Sequence, residues 1–166
     1  SHTNRKMKNS IYTFNFYAIA CMIFFATPTI AQTSNSVQIE CQVSGSELLM
    51  GDESQIRDII QIEIFENPIP RIMIKGNKIR LVIIGTNATN PSGFKAIGVN
   101  RSTEDAWDMT SRDTGPDNWQ FENEARINRF TGSIVLQSIS TSPQGVKATT
   151  KASGNCSAAN QGQRKF

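Results

Sequence analysis

Val37-Gln38-Ile39-Glu40-Cys41-Gln42-Val43 alternates apolar and polar residues without a break. A period of two sets Val37, Ile39, Cys41 and Val43 on one face of a strand and the polar residues on the other, so the stretch predicts a half-buried β-strand. The same alternation returns at Ile60-Gln61-Ile62-Glu63-Ile64 and at Ile79-Arg80-Leu81-Val82-Ile83. Residues 71–75, 94–100, 106–111, 119–129, 133–140 and 146–152 are further strand candidates. Turn-forming groups punctuate these runs: Asn67-Pro68, Gly76-Asn77, Asn90-Pro91-Ser92-Gly93, Gly115-Pro116-Asp117-Asn118, Thr131-Gly132 and Ser142-Pro143-Gln144-Gly145. Gly76-Asn77 between two apolar runs predicts a tight hairpin.

One segment reads differently. Residues 46–58 are expected to hold a short helix, with Ser46 as its cap and Leu48 and Leu49 as its apolar positions. No helical pattern of core length appears elsewhere among the strand candidates. Short connections favour antiparallel neighbours over crossover helices. The expected fold is therefore all-β, a single antiparallel meander closing as a small barrel or sandwich.

A helix of another kind precedes it. Met7, Lys8 and Asn9 make a short basic start, residues 17–25 an apolar run, and Thr29-Ile30-Ala31 a small-residue cleavage site. This is the pattern of a secretory signal peptide. Residues 1–6 precede the candidate initiator Met7 and are expected to be a cloning remnant or an over-extended start. The expected division is 1–31 for remnant and signal, 32–156 for the β domain and 157–166 for a flexible tail. Thr13 and Asn15 before the apolar run and Pro28 after it keep it short of the roughly 20 residues a membrane span needs, so no stable span is expected after cleavage. Lipid attachment at Cys21 would place Met22-Ile23-Phe24-Phe25 where a polar tether is expected, which argues against it. The expected location is periplasmic or secreted, in a bacterium.

Cleavage changes the charge and cysteine counts. The chain has 17 Lys and Arg against 14 Asp and Glu; Arg5, Lys6 and Lys8 lie in the removed segment, so the remainder is neutral. Without a basic cluster there is no electrostatic footprint for nucleic acid or for an anionic membrane. Cys41 and Cys156 are left after Cys21 departs. An even pair in an oxidising compartment predicts a disulfide, here joining the first strand to the last.

Several chemistries are excluded. The only histidine, His2, lies upstream of the signal, so the exported chain has no imidazole for a Ser-His-Asp triad or a catalytic zinc. No phosphate-cradling loop or dinucleotide fingerprint is present, and no cofactor is implied. An acid pair survives this filter, because glycoside cleavage needs only two carboxyl groups. The place to seek one is the 104–117 stretch, which holds Glu104, Asp105, Asp108, Asp113 and Asp117 beside Trp107, with Trp119 just beyond. The acid order of an EF-hand is absent, and no metal site is predicted. Trp107, Trp119, Asp105, Asp108 and Asp113 are the candidate binding residues, as a sugar platform of ring and acid. The bland alternative makes both indoles core and the acids a solvated turn.

The C-terminal third resembles the ending of many small exported proteobacterial proteins of unknown function. The resemblance rests on Trp119-Gln120-Phe121, on Ile127-Asn128-Arg129-Phe130-Thr131-Gly132, on Gly154-Asn155-Cys156 and on a final Lys165-Phe166, and it covers about the last 50 residues. It implies a hairpin that needs Gly132 and adds Arg129 as a candidate binding residue, but it implies no activity. The expected function is a non-enzymatic binding or interaction domain, its partner an unknown protein or a cell-wall glycan. The alternative is a carboxylate-dependent glycan hydrolase using acids of the 104–117 loop.

Overall fold

The computed structural model describes residues 36–90 and 93–158. The expected signal-peptide helix and residues 159–166 of the expected tail lie outside them.

The alternating stretch around Val37 is the core of β1 (Ser36–Leu49), which leads into β2 (Asp52–Phe65), β3 (Arg71–Lys75), β4 (Arg80–Ile84), β5 (Ala88–Thr89), β6 (Lys95–Asn100), β7 (Ala106–Thr114), β8 (Gln120–Asn128), β9 (Ser133–Thr141) and β10 (Lys147–Ala158). All pair antiparallel in one sheet of order β4-β3-β2-β1-β10-β9-β8-β7-β6-β5. The expected antiparallel meander is present, and of the two expected closures, barrel and sandwich, it takes the first: the sheet is nearly closed into a barrel. The first and last strands lie at the centre of the sheet, and its two edges come from the middle of the chain. Cys41 stands directly opposite Cys156 in the β1–β10 ladder, and the two form a disulfide. β10 continues its pairing through Ser157 and Ala158, so the strand runs past the boundary expected at 156.

The sheet curls until β4 packs against β6, β7 and β8. Gly98 permits this approach: a Cβ there would lie 1.8 Å from the carbonyl oxygen of Ile84. The enclosed core is made by the inward residues the alternation predicted, among them Ile39, Cys41, Ile60, Ile62, Ile64 and Ile83, together with Ile72 of β3. Trp107, Met109, Ile127, Ile134 and Leu136 complete it from the other half of the sheet. No helix among the described residues is long and apolar enough to cross a membrane.

The helix expected over 46–58 is absent, and the segment is strand. Leu49 pairs with Asp52, and Met50-Gly51 form a two-residue turn with φ of 52° and 91°. Positive φ at both central residues suits the right-handed twist of a hairpin. The apolar pair Leu48-Leu49 imitates a helical stripe, but both side chains are exposed and the backbone is satisfied by its ladders.

The β3–β4 hairpin forms where expected, with its turn centred on Asn77-Lys78 and closed by Gly76 N–H donating to Ile79 O at 2.8 Å. Asp58 of β2 holds this turn from beneath. Its carboxylate accepts backbone N–H bonds from Lys78 at 2.8 Å, Ile79 at 3.0 Å, Asn77 at 3.3 Å and Ile59 at 3.0 Å. Burial pushes the Asp58 carboxyl up, but the four N–H donors outweigh it and hold the pKa below the ordinary value. Asp58→Ala strands those donors and is expected to cost about 2 kcal/mol at pH 7 in urea unfolding. Because the folded pKa is depressed, the contribution is complete above the unfolded carboxylate range of about 4 and disappears as pH falls through the folded value.

Candidate functional site

Residues directly opposite one another in a ladder share a face. Following the register inward from β2 to β7 therefore reads the lining of the barrel row by row. One inward row is apolar apart from its glycine: Ile56, Gly45, Ala152, Leu136, Ala125 and Met109. The next row toward the β1–β2 turn is polar throughout: Thr150, Ser138, Asn123 and Ser111 line the wall, and Glu47 and Ser54 continue the row into the exposed β1–β2 hairpin. In the row beyond it, Asp113 faces Phe121 on one side and Ala96 on the other. The barrel interior thus changes from hydrocarbon to hydrogen-bonding groups within one step along the strands.

Asp113, Asn123 and Ser111 are buried at this boundary, with 5%, 7% and 2% of their surface exposed. Asp113 Oδ2 accepts from the Ser111 hydroxyl at 3.1 Å and from Asn123 Nδ2 at 3.2 Å. The Ser138 hydroxyl donates to Asn123 Oδ1 at 2.7 Å and so fixes the amide orientation. Asp113 Oδ1 is buried and has no hydrogen-bond partner among the described residues. Burial raises the Asp113 pKa above its ordinary value, against the two hydrogen bonds that lower it. A groove of about 510 Å³ borders Asp113, Phe121 and Ala96, but most of its lining, Lys95, Ile97, Arg112, Thr114, Gln120 and Glu122, belongs to the outward strand phase.

Aromatic rings rim this end. Trp119 lies two residues from Phe121, and the rings stack with centroids 6.3 Å apart and planes at 16°. Trp119 remains 41% exposed. The turn Gly115-Pro116-Asp117-Asn118 presents it, closed by Gly115 N–H to Trp119 O at 2.8 Å.

A raised carboxyl pKa makes a testable statement about stability. The folded state holds the Asp113 proton more tightly than the unfolded chain, so stability declines as pH rises from about 4 through the raised value. Asp113→Asn is expected to melt above the parent at pH 7 and at the same temperature as the parent near pH 3. Calorimetry across that range checks both arms.

The other residues singled out from the sequence go elsewhere. Trp107 is core, 1% exposed, and its indole N–H donates to Glu66 Oε1 at 2.8 Å. The Arg129 guanidinium lies 4.3 Å over the Trp107 ring and bonds the same Glu66 oxygen at 2.7 Å. Asp108 turns outward and pairs with Arg101 at 3.0 Å and Arg126 at 3.9 Å. Asp105 sits in the exposed turn before β7, where its carbonyl accepts from Arg129 N–H at 2.8 Å. The structure therefore joins Asp113 to the Trp119–Phe121 pair and separates both from Trp107, Asp105, Asp108 and Arg129.

The 127–132 motif is a built turn. Asn128 Oδ1 accepts N–H bonds from Phe130 and Thr131 at 2.9 and 2.8 Å, and Gly132 takes a φ of 74°. The Gly132 carbonyl then accepts from Cys156 N–H at 2.8 Å, tying the hairpin to the disulfide strand.

Sequence reading missed Asn123, Ser111, Ser138 and Phe121. Their strand phase is the available signal: counting by twos from buried Ile127 along β8 gives Ala125, Asn123 and Phe121. Among the described residues, no three His, Cys, Asp or Glu side chains gather as a metal-binding group. No protein-family model, curated protein or solved structure matches this chain.

Proposed function

We propose that this is an exported, non-enzymatic binding domain that holds a polyhydroxylated ligand, a cell-wall glycan in class, at the polar end of its barrel. One observation carries the reading: the partly exposed Trp119 stacks on Phe121, and Phe121 stands directly opposite the buried Asp113, which Asn123 holds by a hydrogen bond. Sugar rings offer apolar C–H faces to an aromatic platform and hydroxyl groups to carboxylate and amide oxygens. The Asp113 oxygen without a donor supports the same reading, because an unmet buried acceptor costs stability that an apolar or amide side chain would not cost. Export is supported by the disulfide, by the resemblance of the C-terminal motif and by the signal-like N-terminal sequence.

The hydrolase alternative has less support. Acid-pair cleavage needs two carboxyl groups across one bond. Asp108 faces outward in an ion network, Asp105 lies in the turn before β7, and the cross-strand neighbours of Asp113 are Ala96 and Phe121. Among the described residues, neither ladder position paired with Asp113 carries a carboxylate.

Fluorescence titration with soluble peptidoglycan fragments, chito-oligosaccharides and neutral glucans tests the proposal. A saturable blue shift from Trp119 is expected, lost in Trp119→Ala while that variant keeps the parent far-UV circular dichroism and urea midpoint. Absence of any saturable change across the panel would overturn it.

A further inference from the structure

The long β1–β2 hairpin leaves a strand edge unused. β2 pairs with β3 only from Gln61 to Phe65, and the β3–β4 turn held by Asp58 occupies the next positions. Residues 52–57 pair with β1 on one side and, among the described residues, with no strand on the other. Asp52, Glu53, Ser54 and Gln55 are exposed, as is Arg57. A straight edge of this kind presents a row of unpaired N–H and C=O groups, a template for a further strand. Proline, bulges and charged side chains are the usual protections; 52–57 has no proline and pairs with β1 in unbroken register, and its charges are Asp52, Glu53 and Arg57, of mixed sign.

We infer that this edge pairs with the same edge of a second copy of the chain, antiparallel about Gln55, joining two barrels through one continuous sheet. Charge selects the register. Glu53 and Arg57 lie on the outward face, and neither makes an ion pair among the described residues. Their cross-strand neighbours on β1 are Leu48 and Ser44, which carry no charge to satisfy them. With Gln55 opposite Gln55, Glu53 faces Arg57 of the second copy and Arg57 faces its Glu53. Centring the pairing on Ser54 or Ile56 instead sets one charge against Gln55 and leaves both ion pairs unmade. The strand is thus self-complementary in one register only. Directly opposed unlike charges on paired strands attract, and like charges there repel.

The same face carries apolar side chains at the ends of this short ladder. Leu48 is 45% exposed beside Glu53, and Ile59 is 57% exposed two residues beyond Arg57. In the charge-matched register the new ladder ends at Glu53 and Arg57, because the β3–β4 turn already occupies the edge from Asp58 onward. Just past each end Asp52 of one copy comes level with Asp58 of the other, like charges that the two ion pairs must outweigh. The edge is separated from the ligand-bearing strands by β1, β10 and β9, so the two inferences stand or fall separately. Only five residues per chain pair, so the dimer is weak and concentration-dependent.

Sedimentation equilibrium of the purified protein, at micromolar to millimolar concentration, tests this. A monomer–dimer equilibrium is expected, weakening as salt rises. Glu53→Arg and Arg57→Glu should each weaken it by about tenfold or more, since each turns two attractions into two repulsions. The double variant E53R/R57E should recover the parent dimer. Both positions are exposed, and circular dichroism confirms that each variant is folded. A monomer at every concentration overturns the inference, and so does a dimer indifferent to the single reversals or one that the double reversal does not rescue.

Discussion

Replacing Cys41 and Cys156 together with alanine is expected to lower the unfolding free energy by about 5 kcal/mol and the melting temperature by about 20 °C. The crosslink spans 115 residues, and closing a loop of that length takes about 5 kcal/mol of conformational entropy from the unfolded chain. The topology gives the bond a second consequence. β1 and β10 are the two ends of the domain, yet they form the central ladder of the sheet, with Cys41 paired to Cys156 inside it. Folding the reduced chain must bring its most distant segments together before any strand can bridge the two halves of the barrel. That order of events is slow, because loop closure comes before the contacts that reward it. Urea unfolding followed by circular dichroism measures the equilibrium part, and refolding rates with and without reductant measure the kinetic part. A loss under about 1 kcal/mol would mean that the reduced chain already keeps its ends close when unfolded.

The disulfide was legible because only two cysteines follow the signal-like segment. The strands were legible wherever one face is buried: Ile60, Ile62 and Ile64 alternate because a core stands on one side of them. Periodicity reports burial, not hydrogen bonding, and this explains the one failure of element type. Residues 46–49 and 52–55 carry a full ladder but bury neither face, so no alternation marks them as strand. Only Gly51, after a residue that must take positive φ, announces the turn, and Met50 is not a residue that advertises it.

The candidate site was half legible for a related reason. Asp113 and Trp119 stand out as an acid and a large ring. Asn123, Ser111 and Ser138 do not, because a polar residue in a strand is read as facing solvent, and these face inward. β7 shows the ambiguity in one strand: Trp107, Met109, Ser111 and Asp113 share the inward face, apolar for two positions and polar for two. Glu66 was hidden by distance, since it meets Trp107 across 41 residues and Arg129 across 63.

The two tryptophans provide the sharpest separation of structural from binding roles. Trp107→Ala is expected to cost about 4 kcal/mol, the range for deleting a large aromatic from a packed core. Its indole is 1% exposed, and removing it opens a cavity between the two halves of the barrel. The same change takes the N–H donor from Glu66 and the ring from beneath Arg129. Trp107→Phe keeps most of the packing and loses the donor, so about 1–2 kcal/mol is expected. Trp119→Ala removes a ring already 41% in solvent and should change stability by less than about 1 kcal/mol. Urea midpoints order the three variants. Ligand titration should then order them in reverse, with Trp119→Ala losing binding and Trp107→Phe keeping it. If Trp107→Phe lost the ligand at unchanged stability, the site would have to be moved to the Glu66–Arg129 end of the barrel, and the polar row at Asp113 would be left as packing alone.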